Sequence, residues 1–536
     1  MPDILQSIAR PTRQRLPQWT VFPLVFIAVA LLHWPLLRLP YYWDEAGYYI
    51  PAAYDFFRTG TLIPFSTLSN AHPPLPSIYL ALCWKLFGFS PFVTRIAMCF
   101  VAAVALTATW RLAILTTAKE FVAAATVALT AIYPVFFAQS SLAHADLFAA
   151  AATLWGVAFL LAFLIDARIS RLWLSAFCFS LAALSKETAI VTPLALAAWE
   201  LRLAFRPSSL HRRKHLSAAA LLCLPLLPLG LWYLYHWHHT GFVFGNPEYL
   251  RYNATATLTP LRFLLAFLHR ILHITAHMNL FVPVALMFAC MLLPPLNEAD
   301  GSPRLRISFE DQAIFYVIIL ANLVLFSILG GALLTRYLLP LYPLVILLCV
   351  NTFRRRLQQW PWLVALSAVA FLAGLFLNPP YRFAPEDNLA YRDVILLHQR
   401  AIGQIVEHYP HSTVLTAWPA TDELTKPELG YVSQPISVVA IDNFSFGQIQ
   451  RASQLSDPYT VAFLFSTKYD PPHLPLSLGH RNEALDTRFF DFHHDLYPPI
   501  VARLLDGQIV WRAQRKGQWA AILHFDRPQE ASLQLP

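Results

Sequence analysis

Charge is what this chain has least of: Asp, Glu, Lys and Arg make up only 13% of its 536 residues, against 57% apolar ones. That balance falls well short of the charge an ordinary water-soluble domain carries. Cysteine is scarce as well. Cys83, Cys99, Cys178, Cys223, Cys290 and Cys349 all lie in apolar stretches, with none beyond residue 350, so neither a disulfide framework nor a zinc-type spacing is present. Internal repeats and a Gly-rich phosphate loop are lacking too. None of the long apolar runs alternates with polar residues, which excludes a membrane β-barrel.

What the sequence does contain is a series of apolar runs of roughly 18 residues or more. Only helices satisfy every backbone group within one such segment, so the expected fold class is mostly α, a polytopic transmembrane helical bundle. The excess of basic residues, net charge +8, sits in short connections between runs. The positive-inside rule places it there, and no nucleic-acid partner is implied. Arg10, Arg13 and Arg15 precede the first run as in a signal peptide. The run is long, however, and Leu39-Pro40-Tyr41 is too bulky for a small-x-small cleavage site, so it reads as an uncleaved first span.

With a cytoplasmic N-terminus, the spans fall at 21–37, 95–115, 121–137, 147–165, 172–184, 188–203, 216–235, 264–293, 313–330, 338–350 and 362–377, about 11 in all. The stretch 74–88 is apolar but short and carries Lys85; it reads as a helix lying on the membrane surface. Every strongly basic connection, including 202–214 and Arg354-Arg355-Arg356, then lands inside. Residues 1–378 form the expected membrane domain, with 39–94 as its catalytic outer loop. From 379 to 536 the long apolar runs cease, and a soluble extracytoplasmic α/β domain is expected. A helix at 389–408, strands at 413–418, 436–441 and 460–465, and a terminal hairpin of 509–513 and 520–525 carry that expectation.

Five local features converge on the outer face. Trp43-Asp44-Glu45 follows the first run. Asn70-Ala71-His72-Pro73-Pro74 lies in the same loop. His144-Ala145-Asp146 opens the fourth span, Lys186-Glu187 forms an outer turn, and Thr335-Arg336-Tyr337-Leu338-Leu339-Pro340 precedes the tenth span. Carboxylates at a membrane boundary are costly and are retained for chemistry or ion binding more than for packing. Together these features set carboxylates beside cations, as a lipid-phosphate substrate requires: cations for the phosphate, and a carboxylate to take a proton from an attacking hydroxyl.

The ordered set of an early Asp-Glu, a His-Pro-Pro element, an Asp opening the fourth span, Lys-Glu and a late Arg-Tyr-Leu-Leu-Pro resembles the protein mannosyltransferase and aminoarabinose transferase superfamily. These are GT-C fold glycosyltransferases (family 39-like) that take sugars from polyprenyl phosphate on the extracytoplasmic side. The resemblance covers about residues 20–350 and implies Asp44 as general base, with Glu45 beside it and Asp146 as a second acidic position. His72, Lys186, Glu187, Arg336 and Tyr337 become donor-phosphate or substrate contacts. Two positions depart from the aminoarabinose branch: His72 stands where Lys is usual before Pro-Pro, and Gly47 stands where Arg tends to follow the first Asp by three residues. The implied reaction is an inverting single displacement from a polyprenyl-phosphate sugar to a lipid, glycan or protein hydroxyl. No cofactor is expected; a divalent metal is possible but not indicated. The expected location is a bacterial inner membrane, with the site and the C-terminal domain on the periplasmic side.

Blander readings stand beside these. Asp44 and Asp146 both precede helices and suit caps, Glu45 suits a helix N-terminus, Lys186-Glu187 suits a solvated pair, and Arg336 and Tyr337 suit interfacial anchors. His72 suits a loop-ordering role. His236, His238 and His239 cluster at one span exit, and His269, His273 and His277 share a helical face, without a carboxylate to complete a metal motif. A transporter or flippase for a lipid-linked substrate is the alternative function.

Overall fold

The computed structural model describes residues 18–206, 211–254, 258–329, 331–455, 459–469, 488 and 494–526. The basic residues Arg10, Arg13 and Arg15 lie outside them. The chain is mostly helical with a small C-terminal sheet. Among the described residues, four helices are long and apolar enough to cross a membrane: Pro91–Thr117, Ala145–Asp166, Arg212–Thr240 and Phe309–Ile328. Shorter apolar helices, among them Gln18–Leu32, Leu75–Phe87, Glu120–Ile132, Ile169–Ser185 and Trp360–Phe376, pack around them. The expected surface segment forms the helix Leu75–Phe87.

Several expected spans are interrupted, each for a local reason. Residues 121–137 divide where Pro134 starts a new short helix after Tyr133, since proline offers no N–H to continue the previous turn. Residues 216–235 pause at 223–225, with Pro225 at the break. The expected eighth span is split into Pro260–Asn279 and Phe281–Met291, bent by 99°. Met278 and Asn279 there adopt left-handed backbone angles, φ 47° and 66°, which L-residues take only when tertiary contacts hold them. Asn279 donates to the Ala370 carbonyl at 2.8 Å, and His277 Nε2 bonds Asp387 at 2.9 Å.

Small residues set the closest helix contacts. Along Ala145–Asp166, Ala150, Ala151, Gly156 and Ala158 are buried or nearly so, which lets backbones approach. A Cβ at Gly156 would lie 2.8 Å from the Phe179 ring, and Ser175 Oγ donates to the Gly156 carbonyl at 2.8 Å. The long helix Pro91–Thr117 starts at a Ser90 cap, whose hydroxyl accepts from the Val93 N–H.

The C-terminal sheet has the order β2-β1-β3-β5-β4. Its strands are β1 (Val414–Ala417), β2 (Val438–Ile441), β3 (Val461–Phe465), β4 (Gln508–Arg515) and β5 (Gln518–His524). The first three run parallel, and β5 pairs antiparallel with both β3 and β4. All five residues of β3 are buried, as a central strand requires. Helix Ala390–His408 packs on the hairpin. Its first turns join the membrane part directly: Leu389, Tyr391, Val394 and Ile395 share a core with Leu36, Tyr42, Phe137 and Leu142. Tyr431 Oη donates to the Tyr41 carbonyl at 3.0 Å, and the Tyr41 N–H donates to the Leu429 carbonyl at 3.3 Å. Residues 36–43 are thereby fixed from both sides.

Gly156→Val is expected to lower the unfolding temperature in detergent, by about 1–3 kcal/mol of overpacking against Phe179. Gly230→Ala, where a Cβ meets open space, should leave it unchanged; equal effects of the two would contradict the packing account.

Candidate active site

The chain leaves its first helix, turns through Pro40 and Tyr41, and reaches Trp43 in a left-handed conformation, φ 46°. That turn sends the two acids of the following pair in different directions. Glu45 is fully buried and faces away from any cavity. Its Oε2 accepts from Arg95 Nη2 and from the Tyr42 N–H, both at 2.9 Å, and its Oε1 accepts from Arg95 Nη1. Arg95 also donates to the carbonyls of Ser141 (2.7 Å) and Pro40 (2.8 Å). This bidentate knot ties the 40–45 turn to helix Pro91–Thr117 and to the 141–143 loop.

Asp44 is thereby left at the rim of a cavity of about 1130 Å³. Its Oδ2 accepts from Arg336 Nη2. Its Oδ1 has no partner among the described residues, and about a third of the side chain is exposed, 32%. Arg336 comes from the short turn Thr335–Leu338, before helix Tyr342–Arg356. It is almost fully buried, and three carboxylates surround it. Besides Asp44 these are Asp146, at 3.2 Å from Nε, and Glu386, whose two oxygens lie 2.8 and 2.9 Å from Nη1. The His144 ring packs against the same guanidinium. Lys186 Nζ holds the other oxygen of Asp146 and sits 3.9 Å from the centre of the Tyr337 ring, a cation–π contact.

A second cluster lies beside the first. His72 Nδ1 bonds Glu187 Oε2 at 3.0 Å, and His72 Nε2 meets the Tyr249 hydroxyl at 3.2 Å. Tyr49 stacks on the His72 ring, centroids 5.9 Å apart. Burial alone would raise the Glu187 pKa; His72 and Lys186 outweigh it and hold the carboxyl below its ordinary value.

Of the eight residues singled out from the sequence, seven line this one cavity or reach the acid–base cluster at its wall: Asp44, His72, Asp146, Lys186, Glu187, Arg336 and Tyr337. Glu45 alone is turned into the packing. Much of the remaining lining is apolar, with Leu229, Ile190, Leu325, Phe326 and Leu333 among it. Residues after 380 complete the enclosure, including Phe383, Trp418 and Tyr469.

Glu386 is the residue sequence reasoning missed. With Asp387 it forms an acidic pair just past the last apolar run, the counterpart of Asp44-Glu45 after the first. Asp387 accepts from Thr335 and from His277, so the pair brackets the segment that carries Arg336. The histidines His273 and His277 are buried, and His277 has Asp387 as its partner. No group of three or more His, Cys, Asp or Glu arranged to hold a metal occurs among the described residues.

Burial pushes the Glu386 carboxyl up to about 8; Arg336 pulls it down, while Asp44, Asp387 and Asp146 raise it again. A carboxyl whose folded-state pKa lies above its unfolded value contributes stability below the unfolded value and loses it as pH rises through the folded one. The unfolding temperature in detergent should therefore fall as pH rises from the ordinary carboxyl range to about 8 and level off above it, and Glu386→Gln should flatten that fall; an unchanged profile would refute the assignment. Glu45→Gln strands Arg95 and should cost about 3–5 kcal/mol in the same melts, whereas Asp44→Asn, at a half-open rim, should cost far less.

Residues 71–232 match the family described as dolichyl-phosphate-mannose-protein mannosyltransferase. No curated protein matches the chain. Among solved structures, the chain is similar to ArnT from Cupriavidus metallidurans bound to undecaprenyl phosphate, at 16% identity and a TM-score of 0.53, over 94% of this chain and 98% of that one. Apo ArnT gives 15% identity and the same TM-score and coverage. The archaeal oligosaccharyltransferase AglB from Archaeoglobus fulgidus is less similar, at 12% identity and a TM-score of 0.48, over 83% of this chain and 69% of that one. The resemblance drawn from the five motifs is borne out in kind: a mannosyltransferase-family match across the middle of the chain, and a GT-C-like fold along nearly all of it.

Proposed function

We propose that this chain is an integral-membrane glycosyltransferase that moves a sugar from a polyprenyl-phosphate donor to an acceptor hydroxyl. The observation that carries the proposal is the state of Asp44: one oxygen is fixed by Arg336, and the other stands unpartnered, among the described residues, at the rim of a large cavity whose lining joins Lys186 and Arg336 to apolar residues. The apolar lining suits the first isoprene units of a lipid. Lys186 and Arg336 suit its phosphate, because both reach the cavity from buried, pre-organised positions. The undecaprenyl phosphate bound to ArnT, whose fold this chain shares, supports the same class of donor.

In the proposed reaction, Asp44 Oδ1 takes the proton of the acceptor hydroxyl as its oxygen attacks the anomeric carbon. The bond from that carbon to the phosphate oxygen breaks, and its electron pair leaves with the polyprenyl phosphate. The leaving group is already a stable anion, so no strong general acid and no cofactor are invoked. Lys186 and Arg336 balance its added charge. Asp146 is a positioning residue, set between Arg336 and Lys186 so that both cations face one place. His72, Glu187 and Tyr337 shape the wall beside them. One displacement inverts the anomeric centre. The proposal includes the multi-pass topology of about 11 spans, the division into 1–378 and 379–536, and a bacterial inner membrane with the site on its periplasmic side.

Purified protein in lipid, given polyprenyl-phosphate sugars and a crude membrane acceptor, should release sugar from the donor as read by mass spectrometry. Asp44→Asn should lower that rate about 10²–10⁴-fold with folding intact. Full transfer by Asp44→Asn would sink the mechanism. A second reading, transport of a lipid-linked substrate, draws on the 99° break in the helix pair 260–291, since broken helices mark binding sites in transporters. Movement of the lipid across the bilayer with no covalent sugar product would favour it.

A further inference from the structure

A second, smaller cavity of about 290 Å³ meets the first at Asp44. Its character is different. Where the large cavity has several leucines in its lining, the small one is lined by Asp44, Thr67, Asn70, Asn246 and Trp418, with Gly47 beside them. From these residues we infer that the small cavity is the acceptor subsite and that it takes a sugar ring, so that the acceptor is a glycan rather than a peptide or an apolar lipid. The inference rests on the glycosyltransferase reading above and names the acceptor class for that same centre.

Trp418 is the wall that defines it. It follows β1 in the C-terminal part of the chain, yet it lies over the turn that carries Asp44. The Trp43 ring meets it edge-on, centroids 5.0 Å apart and planes at 73°. A Cβ built at Gly47 would stand 2.7 Å from the indole, so the ring occupies the room a side chain at position 47 would fill. The absence of a side chain at position 47 thus has a structural counterpart: an aromatic face inserted from another part of the chain. Trp418 remains partly exposed, 36%, and its indole N–H has no partner among the described residues.

Polar groups converge on the same space. Asp44 Oδ1 is an acceptor left unused among the described residues. The Asn70 amide N–H₂ is likewise an unused donor, while its carbonyl accepts from Asn246 Nδ2 at 3.2 Å. Asn246 is itself fixed, its Oδ1 capping the Tyr249 N–H at 3.0 Å. Thr67 donates to the Gly47 carbonyl at 3.0 Å, which leaves its lone pairs facing outward. A sugar presents an apolar C–H face and a rim of hydroxyls that both donate and accept. An indole face with carboxylate, amide and hydroxyl groups around its edge matches both surfaces. Strand addition, one way of holding an extended peptide, is not on offer, since no residue of the five strands lines this cavity. Leu68 is the one aliphatic side chain in its lining, whereas a lipid chain meets several leucines in the other cavity.

The test is saturation-transfer NMR on the full-length protein in nanodiscs. The probes are methyl α-glucoside, methyl α-mannoside, methyl α-galactoside and methyl β-N-acetylglucosaminide, with a capped Ala-Ser-Ala-Thr-Ala peptide for comparison. Binding of radiolabelled undecaprenyl phosphate is measured in parallel. At least one glycoside should bind, weakened about two- to tenfold by Trp418→Ala and similarly by Gly47→Ala, which displaces the indole without changing it. Trp418→Phe should restore most of the signal. Glycoside signals indifferent to both Trp418→Ala and Gly47→Ala, or Trp418-dependent binding of the peptide alone, would overturn the inference. Wild-type protein that binds the glycoside through Trp418 but not undecaprenyl phosphate would remove the donor reading and leave the subsite standing.

Discussion

One guanidinium organises this molecule. Arg336 is buried where the membrane helices meet the C-terminal part, and it takes carboxylates from three distant places in the chain: Asp44, Asp146 and Glu386. A buried charge of this kind is tolerable only when paired and hydrogen-bonded. Each acid therefore has to arrive in place, and with each acid comes the element that bears it. The turn after the first helix, the start of Ala145–Asp166 and the strap 385–387 are positioned by that common need. Lys186 joins through Asp146, and His72 joins through Glu187, the residue after Lys186.

Around that centre the division of labour follows chemistry. Glu45 and Arg95 form a closed pair with no share in the cavity; their bonds to two backbone segments, 40–42 and 141–143, hold the turn that displays Asp44. Leucines and aromatic residues make up much of the rest of the cavity lining. In the proposed reaction the donor and acceptor would meet at Asp44, which lines both cavities.

Much of this was legible in the sequence, for identifiable reasons. Apolar runs announce helices, and Asp44, Asp146, Lys186 and Arg336 stood out because charge is expensive beside them. The five strands were readable because β-branched and aromatic clusters alternate there with turn residues. The failures were equally physical. Hydropathy reports how apolar a segment is, not where its backbone bends, so the break at Met278-Asn279 left no mark, and 121–137 and 216–235 read as continuous spans although Pro134 and Pro225 sit at their breaks. Asp44 and Glu45 look alike as neighbours, yet adjacent residues in a turn point to different sides. Glu386 was overlooked because it opens a charged stretch in which any single acid is unremarkable. Trp418 was invisible as a cavity wall because only the tertiary fold lays it over Gly47.

The contribution of residues 385–387 and of Trp418 also has a consequence in time. A ribosome delivers this chain from its N-terminus, and the helices bearing Asp44, Asp146 and Arg336 are complete well before the sheet has been made. Until then Arg336 lacks one of its acids, and the cavity lacks part of its wall. Maturation of the centre thus waits for the last quarter of the polypeptide, and a nascent chain tethered short of it would hold every membrane helix without a finished pocket.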